Sequence, residues 1–378
     1  MRGLVRSIIR EALLRQPVES YEPLEKQVLL IRPDHLGDLL FVRPALQRIR
    51  EALPGWHITL MVGPWSETIV ADEKNVDEII AFPFPGFTRA GTGNPLEPYQ
   101  LLFEAAGLIR ERRPTAVVVL RDDHWWGALA AQQAGAPLIV GSAHPAMRDL
   151  LTDVVSVDGF HAVARNTVIL DHVARQLGST TNLPPVDFEH VPLIWRVKET
   201  ERQRARHVLA ERNVEQRFVV IHPGSGAQVK LWPAERWAGV VDRIAAGGHS
   251  VVLTGSESEL PLLRRIASLA SASHSLGGQT SIGELAAVFE QAQAVLGVDS
   301  GPLHLAVATG TPTIHLYGPS DVGVYGPWGD PARHRVLRAG LTCPACGNLD
   351  PSRPEGSGCM LAIQLEHVVD TFNELVGS

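Results

Sequence analysis

The residues of this chain that could do chemistry gather in short polar turns that follow apolar runs. The clearest case is residues 294–320, AVLGVDSGPLHLAVATGTPTIHLYGPS. An apolar run ends in Val298-Asp299-Ser300-Gly301, a helix opens at Pro302, and a second apolar run starts at Thr313. Proline suits the first helical position, because its missing N–H would have no partner there. Gly301 admits a close backbone approach, and the free N–H groups of a helix start carry partial positive charge. A phosphate or diphosphate suits such a turn. So does plain helix capping by Asp299 or Ser300, and the turn alone does not separate the two.

Other turns add compatible chemistry. Residues 223–233, PGSGAQVKLWP, place glycines, the Ser225 hydroxyl and the Lys230 ammonium after an apolar run. That is an oxyanion cradle with one point charge, although the spacing is not that of a P-loop. Residues 254–259, TGSESE, offer Glu257 and Glu259 where a ribose hydroxyl could be held; acids at a helix start also serve the helix dipole. Near the N-terminus QVLLIR runs into PDHLGD. Asp38 there is either a general base or a first-turn acid. Further on, Arg121-Asp122-Asp123-His124-Trp125-Trp126 combines charges with paired indoles. This suits a sugar with polar edges and an apolar face, or equally a salt-bridged turn over buried tryptophans.

The elements that must position these turns are legible from periodicity. Near-continuous apolar runs at 27–32, 57–62, 78–82, 116–120 and 138–140 alternate with helical patterns. The second half repeats this, with runs at 218–222, 250–254, 274–276, 294–297 and 313–316. Such runs read as parallel strands covered on both faces, and their alternation with helices as α/β doubly wound sheets. Ligands bind such sheets at the carboxyl edge, where every turn named above falls. No GxGxxG follows any of these strands, which argues against a dinucleotide enzyme. The Gly/Pro-rich stretch 83–98 reads as a lid or a crossover. The expected divisions are a basic N-terminal helix over 1–20, a first domain over 21–180, a turn-rich linker over 181–197 and a second domain over 198–378.

Composition narrows the class. At 378 residues, 45% hydrophobic and 20% charged, the chain has the make-up of an ordinary globular protein and the length of two domains. A formal charge of −7 argues against nucleic acid as a partner. No run is long and apolar enough to span a bilayer, and no secretory signal pattern is present, so a cytoplasmic location is expected. Residues 1–16 carry four arginines among leucines, isoleucines and valine at helical spacing. They read as a helix on an anionic membrane surface or packed on protein. Cys343, Cys346 and Cys359 form an odd set with no second CxxC and read as reduced thiols in a C-terminal loop.

In combination the motifs LLIRPDHLGDLL, HPGSGAQVKLWPAERW, GVDSGPLHLA and TPTIHLYG resemble the lipopolysaccharide heptosyltransferase family, glycosyltransferase family 9. The resemblance runs over residues 27–375. It implies a GT-B fold of two Rossmann-like domains facing across a cleft, with the nucleotide-sugar on the second. It also implies inverting transfer, an ADP-heptose donor, a glycan or glycolipid acceptor such as lipopolysaccharide core, and no metal cofactor. Carried onto this sequence, the base is Asp38. The diphosphate is held by Ser225, Gly226, Lys230, Ser300 and Gly301, with Asp299 and His304 in the same site. Thr280 lines the nucleobase pocket, and Glu257 or Glu259 takes the ribose. Asp122, Asp123, His124 and Trp125, unlike the usual family segment, are where the acceptor is expected. Ser300 replaces a threonine found in several relatives and keeps the hydroxyl. The expected mechanism has Asp38 deprotonate the acceptor, while Lys230 and the helix start at 300–302 stabilise the leaving diphosphate and the domains close about the linker. A GT-B transferase with another donor, a non-catalytic nucleotide-sugar or glycan-binding protein, and a scaffold are the competing readings.

Overall fold

The computed structural model describes residues 18–24, 26–87, 96–215, 217–339 and 358–377. The 1–16 segment, most of the 83–98 stretch's centre, Cys343 and Cys346 lie outside the described residues. The chain forms two compact units, residues 1–186 and 187–378.

In the first unit the apolar runs become strands β1 (Gln27–Arg32), β2 (His57–Val62), β3 (Glu78–Ala81), β4 (Ala116–Val119) and β5 (Ile139–Ser142). A sixth, β6 (Asp153–Val155), was not legible in sequence because three residues cannot show a period. The sheet order is β3-β2-β1-β4-β5-β6, every pairing parallel. Helices α1 (Leu36–Ala52), α2 (Glu97–Arg112), α3 (Trp125–Ala134) and α4 (Ala162–Gln176) cover its faces. Val28, Leu29, Leu30 and Ile31 are successive and at most 1% exposed, as expected of a strand buried on both sides. Helix α1 starts three residues ahead of its apolar pattern, which puts Asp38 in its first turn. Arg48 of α1 grips Asp171 of α4 through two near-parallel bonds of 2.9 and 2.8 Å, both groups buried. This fork-to-carboxylate pairing fixes the two helices against each other.

The second unit repeats the plan. Its strands are β7 (Phe218–His222), β8 (Ser250–Leu253), β9 (His274–Ser275), β10 (Val295–Val298), β11 (Thr313–Tyr317) and β12 (His334–Arg338). The order is β12-β11-β10-β7-β8-β9, again all parallel. Helices α5 (Glu199–Glu211), α6 (Ala234–Ala246), α7 (Leu260–Leu269), α8 (Ile282–Gln291), α9 (Gly301–Ala308) and α10 (Leu365–Gly377) complete it. Trp232 and Trp237 are fully buried and meet edge to face at 4.9 Å. The Trp232 indole donates to the Ile363 carbonyl, so the two rings anchor the turn that carries Lys230 in the core. In both units the strand order reverses beside the first strand, between β1 and β4 and between β7 and β10. Loops diverge at such a switch point and leave a crevice at the carboxyl edge. Both units are therefore Rossmann-like, the GT-B architecture.

Candidate active site

In the second unit the β7–β10 switch point brings three of the sequence-selected side chains into contact. A short 3₁₀ turn, Gln228–Lys230, follows the 223–227 loop, and Lys230 Nζ donates to Asp299 Oδ2 at 2.6 Å. His304 Nε2, from the first turns of α9, lies 3.8 Å from the other carboxylate oxygen. Ser225 Oγ donates to the Asp299 carbonyl at 3.3 Å. Burial alone would raise the Asp299 carboxyl; His304 and Lys230 outweigh it and hold it far below the usual carboxylate range. The Tyr317 hydroxyl, buried and beside the same negative charge, is pushed well above the usual phenol range and donates to the Tyr325 carbonyl at 2.5 Å.

Ser300 occupies the N-cap position of α9, yet its side chain makes no capping bond. Its Oγ is buried and makes no hydrogen bond to a described residue. Capping therefore does not account for this hydroxyl. With Gly301 beside it at the helix start, the turn presents a hydroxyl and backbone N–H groups where an anion is favoured.

Glu257 and Glu259, indistinguishable in sequence, differ in structure. Glu259 Oε2 accepts from Ser256 N at 2.7 Å and Ser256 Oγ at 2.8 Å, closing a capping box. Its carboxylate also lies against Gly224, where an added Cβ would come within 2.0 Å of Oε1 and displace that carboxylate. Glu257 is exposed, and its carboxylate makes no hydrogen bond to a described residue. Thr280 is half-buried in the loop after β9, immediately before Ser281, the capping residue of α8. The loops after β7, β8, β9 and β10 thus share one carboxyl edge, which carries Ser225, Gly226, Lys230, Glu257, Glu259, Thr280, Asp299, Ser300, Gly301 and His304.

The first unit builds a different edge. Asp38, with 35% of its side chain exposed, accepts from Arg32 Nη2 at 3.0 Å. Arg32 closes β1 and is itself buried; its Nε lies 2.7 Å from Asp34 Oδ2. Asp34 is also bonded by Arg121, which holds Asp123 at 2.6 Å and lies over the Phe87 ring. Asp122 pairs with Arg165 of α4. His124 is 5% exposed and packed edge-on by Phe84 and Phe87 and beside Trp126. Burial lowers its pKa to about 4, so the ring is neutral. Trp126 belongs to the core and donates to the Pro98 carbonyl, while Trp125 is half-buried. Of the expected acceptor residues, Asp122, Asp123 and Trp125 reach solvent and His124 sits behind them. Arg32 and Asp34 were missed in sequence; the available signal was a charge ending an otherwise apolar strand, with an acid two residues on.

Among the described residues no group of three or more His, Cys, Asp or Glu side chains could hold a metal ion. Nor is any described helix long and apolar enough to cross a membrane.

Comparison with known proteins agrees with this architecture. The model of glycosyltransferase family 9 (heptosyltransferase) matches residues 109–347. Lipopolysaccharide heptosyltransferase 3 of Escherichia coli is 24% identical over 301 residues, spanning 77% of this chain and 83% of that protein. The crystal structure of a family 9 glycosyl transferase from Veillonella parvula superposes with a TM-score of 0.75 at 24% identity, covering 95% of this chain and all of that one. Escherichia coli heptosyltransferase WaaC, solved with ADP, superposes at 0.66 with 21% identity, covering 92% and 99%.

Proposed function

The chain belongs to glycosyltransferase family 9, and on that premise we propose that it moves a heptose-like sugar from ADP-heptose to a hydroxyl of a lipopolysaccharide-core or related glycolipid acceptor, with inversion. The observation that carries this reading is the joined set Lys230, Asp299, His304 and Ser225 at the β7–β10 switch point. An adenosine diphosphate is supported there by a heptosyltransferase relative solved with ADP.

In this reading the diphosphate lies against Ser225, Gly226 and the start of α9, where Ser300 Oγ and the helix N–H groups meet its oxygens. Charge grows on the leaving oxygen as the glycosidic bond breaks. Lys230 and the helix start stabilise it, so no metal is required. Glu257 takes the ribose hydroxyls, since Glu259 is committed to its capping box. Thr280 lines the nucleobase pocket. Asp38 removes the acceptor proton as that hydroxyl attacks the anomeric carbon. Asp122, Asp123 and Trp125 meet the acceptor. Residues 1–16 bring the protein to the cytoplasmic face of a membrane, the division into domains at 21–180 and 198–378 separates acceptor from donor, and residues 181–197 serve as the hinge.

Thermal denaturation with ADP, GDP, UDP and TDP in parallel tests the donor, because a ligand of the native state raises the midpoint by mass action. A rise with ADP, persisting after dialysis against a chelator, is expected. A rise with another nucleotide alone replaces the donor, and no rise with any returns the chain to the binding-module or scaffold readings.

A further inference from the structure

Asp38 sits at the third position of α1, at the carboxyl edge of the first sheet, and Arg32, the last residue of β1, donates to its carboxylate. Each nitrogen of the Arg32 guanidinium faces a polar partner, with Nε meeting Asp34 as an ion pair that lacks hydrogen-bond geometry. Nη1 donates to the Leu120 carbonyl at the end of β4 and lies 3.4 Å from Asn166 Oδ1 of α4. Nε faces Asp34 at 2.7 Å, and Nη2 reaches Asp38 Oδ1 at 3.0 Å. With 8% of its side chain exposed, the group cannot swing to another rotamer without leaving a buried charge unpaired. Asp34, 2% exposed, is the counter-charge that makes this burial tolerable, and Arg121 covers the other side of the same carboxylate.

We infer that Arg32 is a positioning residue for Asp38, and that Asp34 acts through Arg32 by locking the guanidinium that aims the base. The inference rests on the reading of Asp38 as general base. Its physical content is that a planar fork tied to β1, β4 and α4 fixes one carboxylate oxygen, so that the acceptor meets a carboxylate of defined orientation. The charged and titratable groups around this fork are Asp34 and Asp38 on one side, and Arg121, Asp123 and His124 from the turn after β4 on the other. The α4 side adds the neutral Asn166, with Arg165 of the same helix held by Asp122.

The test follows ADP release from ADP-heptose with heptose-deficient lipopolysaccharide as acceptor, between pH 5 and 9, for wild type and for Arg32→Gln, Arg32→Lys, Asp34→Asn and Asp38→Asn, with melting midpoints alongside. Removing a cation from beside a carboxylate raises the pH at which it ionises. Arg32→Gln is therefore expected to lower kcat about 10- to 100-fold and to move the acid limb of the profile upward, with the KM for donor unchanged. Arg32→Lys should recover the limb but not the full kcat, because one ammonium cannot make the four contacts of the fork. Asp34→Asn should follow Arg32→Gln in kcat. Arg32→Gln with the wild-type kcat, or with kcat lost and the acid limb unmoved, overturns the inference while Asp38→Asn remains inactive. If Asp38→Asn itself retains transfer, the base reading falls first, and the two failures are told apart.

Discussion

The two sheets share strand order, parallel pairing and switch point, yet their carboxyl edges present opposite electrostatic arrangements. The first edge is crowded with full charges: Arg32, Asp34, Asp38, Arg121 and Asp123 form one linked ionic network around a buried carboxylate. The second edge links fewer of its charges. It offers glycines, hydroxyls and a helix start, with the Lys230–Asp299 pair as its ionic centre. On the proposed reading, a fixed network suits an edge that aims one carboxylate, Asp38. An edge that receives a multiply charged diphosphate needs backbone donors and a single cation already held in place, since preorganised dipoles need no rearrangement when charge arrives. On that reading one fold would support two chemistries, because the loops, not the strands, carry the difference.

The sharpest way to break this comparison is Asp38→Asn. It should lower turnover about 10²–10⁴-fold while leaving nucleotide binding on the second unit intact, as read by ADP titration beside rate measurements. Lys230→Ala strikes the other edge and should cost about 10²–10³ in rate. Unlike the first substitution, it also strands a buried carboxylate, so the urea midpoint should drop by the equivalent of about 3–5 kcal/mol. Because the folded Asp299 carboxyl is held below its unfolded value, it contributes stability above about pH 4 that is lost as pH falls further. Asp299→Asn should flatten that part of a stability–pH curve.

His124 gives a smaller effect on the first edge, in a different pH window. Its folded pKa of about 4 lies below the unfolded value of about 6.5, so the unfolded state binds the extra proton between them. Stability is full above about pH 6.5 and declines by on the order of 3 kcal/mol as pH falls to 4; His124→Phe should remove that slope. The smallest change is Ser300→Ala. Deleting a buried hydroxyl that caps nothing should leave the melting point unchanged or slightly raised, while ADP binds more weakly. A lowered melting point would restore the capping reading and blur the contrast between the edges.

Much of this was legible in the sequence, because parallel strands buried on both faces must be continuous apolar runs and helices must follow them. QVLLIR and FVVIH announce β1 and β7, and the polar turns after such strands can only lie at the carboxyl edge. The sequence by itself therefore determined two doubly wound units and the set of turns that could form a site. Strands β6 and β12 escaped it, one too short to show a period and the other, HRVLR, too charged to resemble a buried strand. What only the tertiary structure decided is which charges meet. Lys230 and Asp299 are 69 residues apart, and Arg121 and Asp34 are 87 apart. Whether Glu257 or Glu259 remains available depends on a capping bond that either spacing would allow. Periodicity is a local property of the chain, whereas pairing between loops is set by strand order, and strand order is fixed only when the sheet closes.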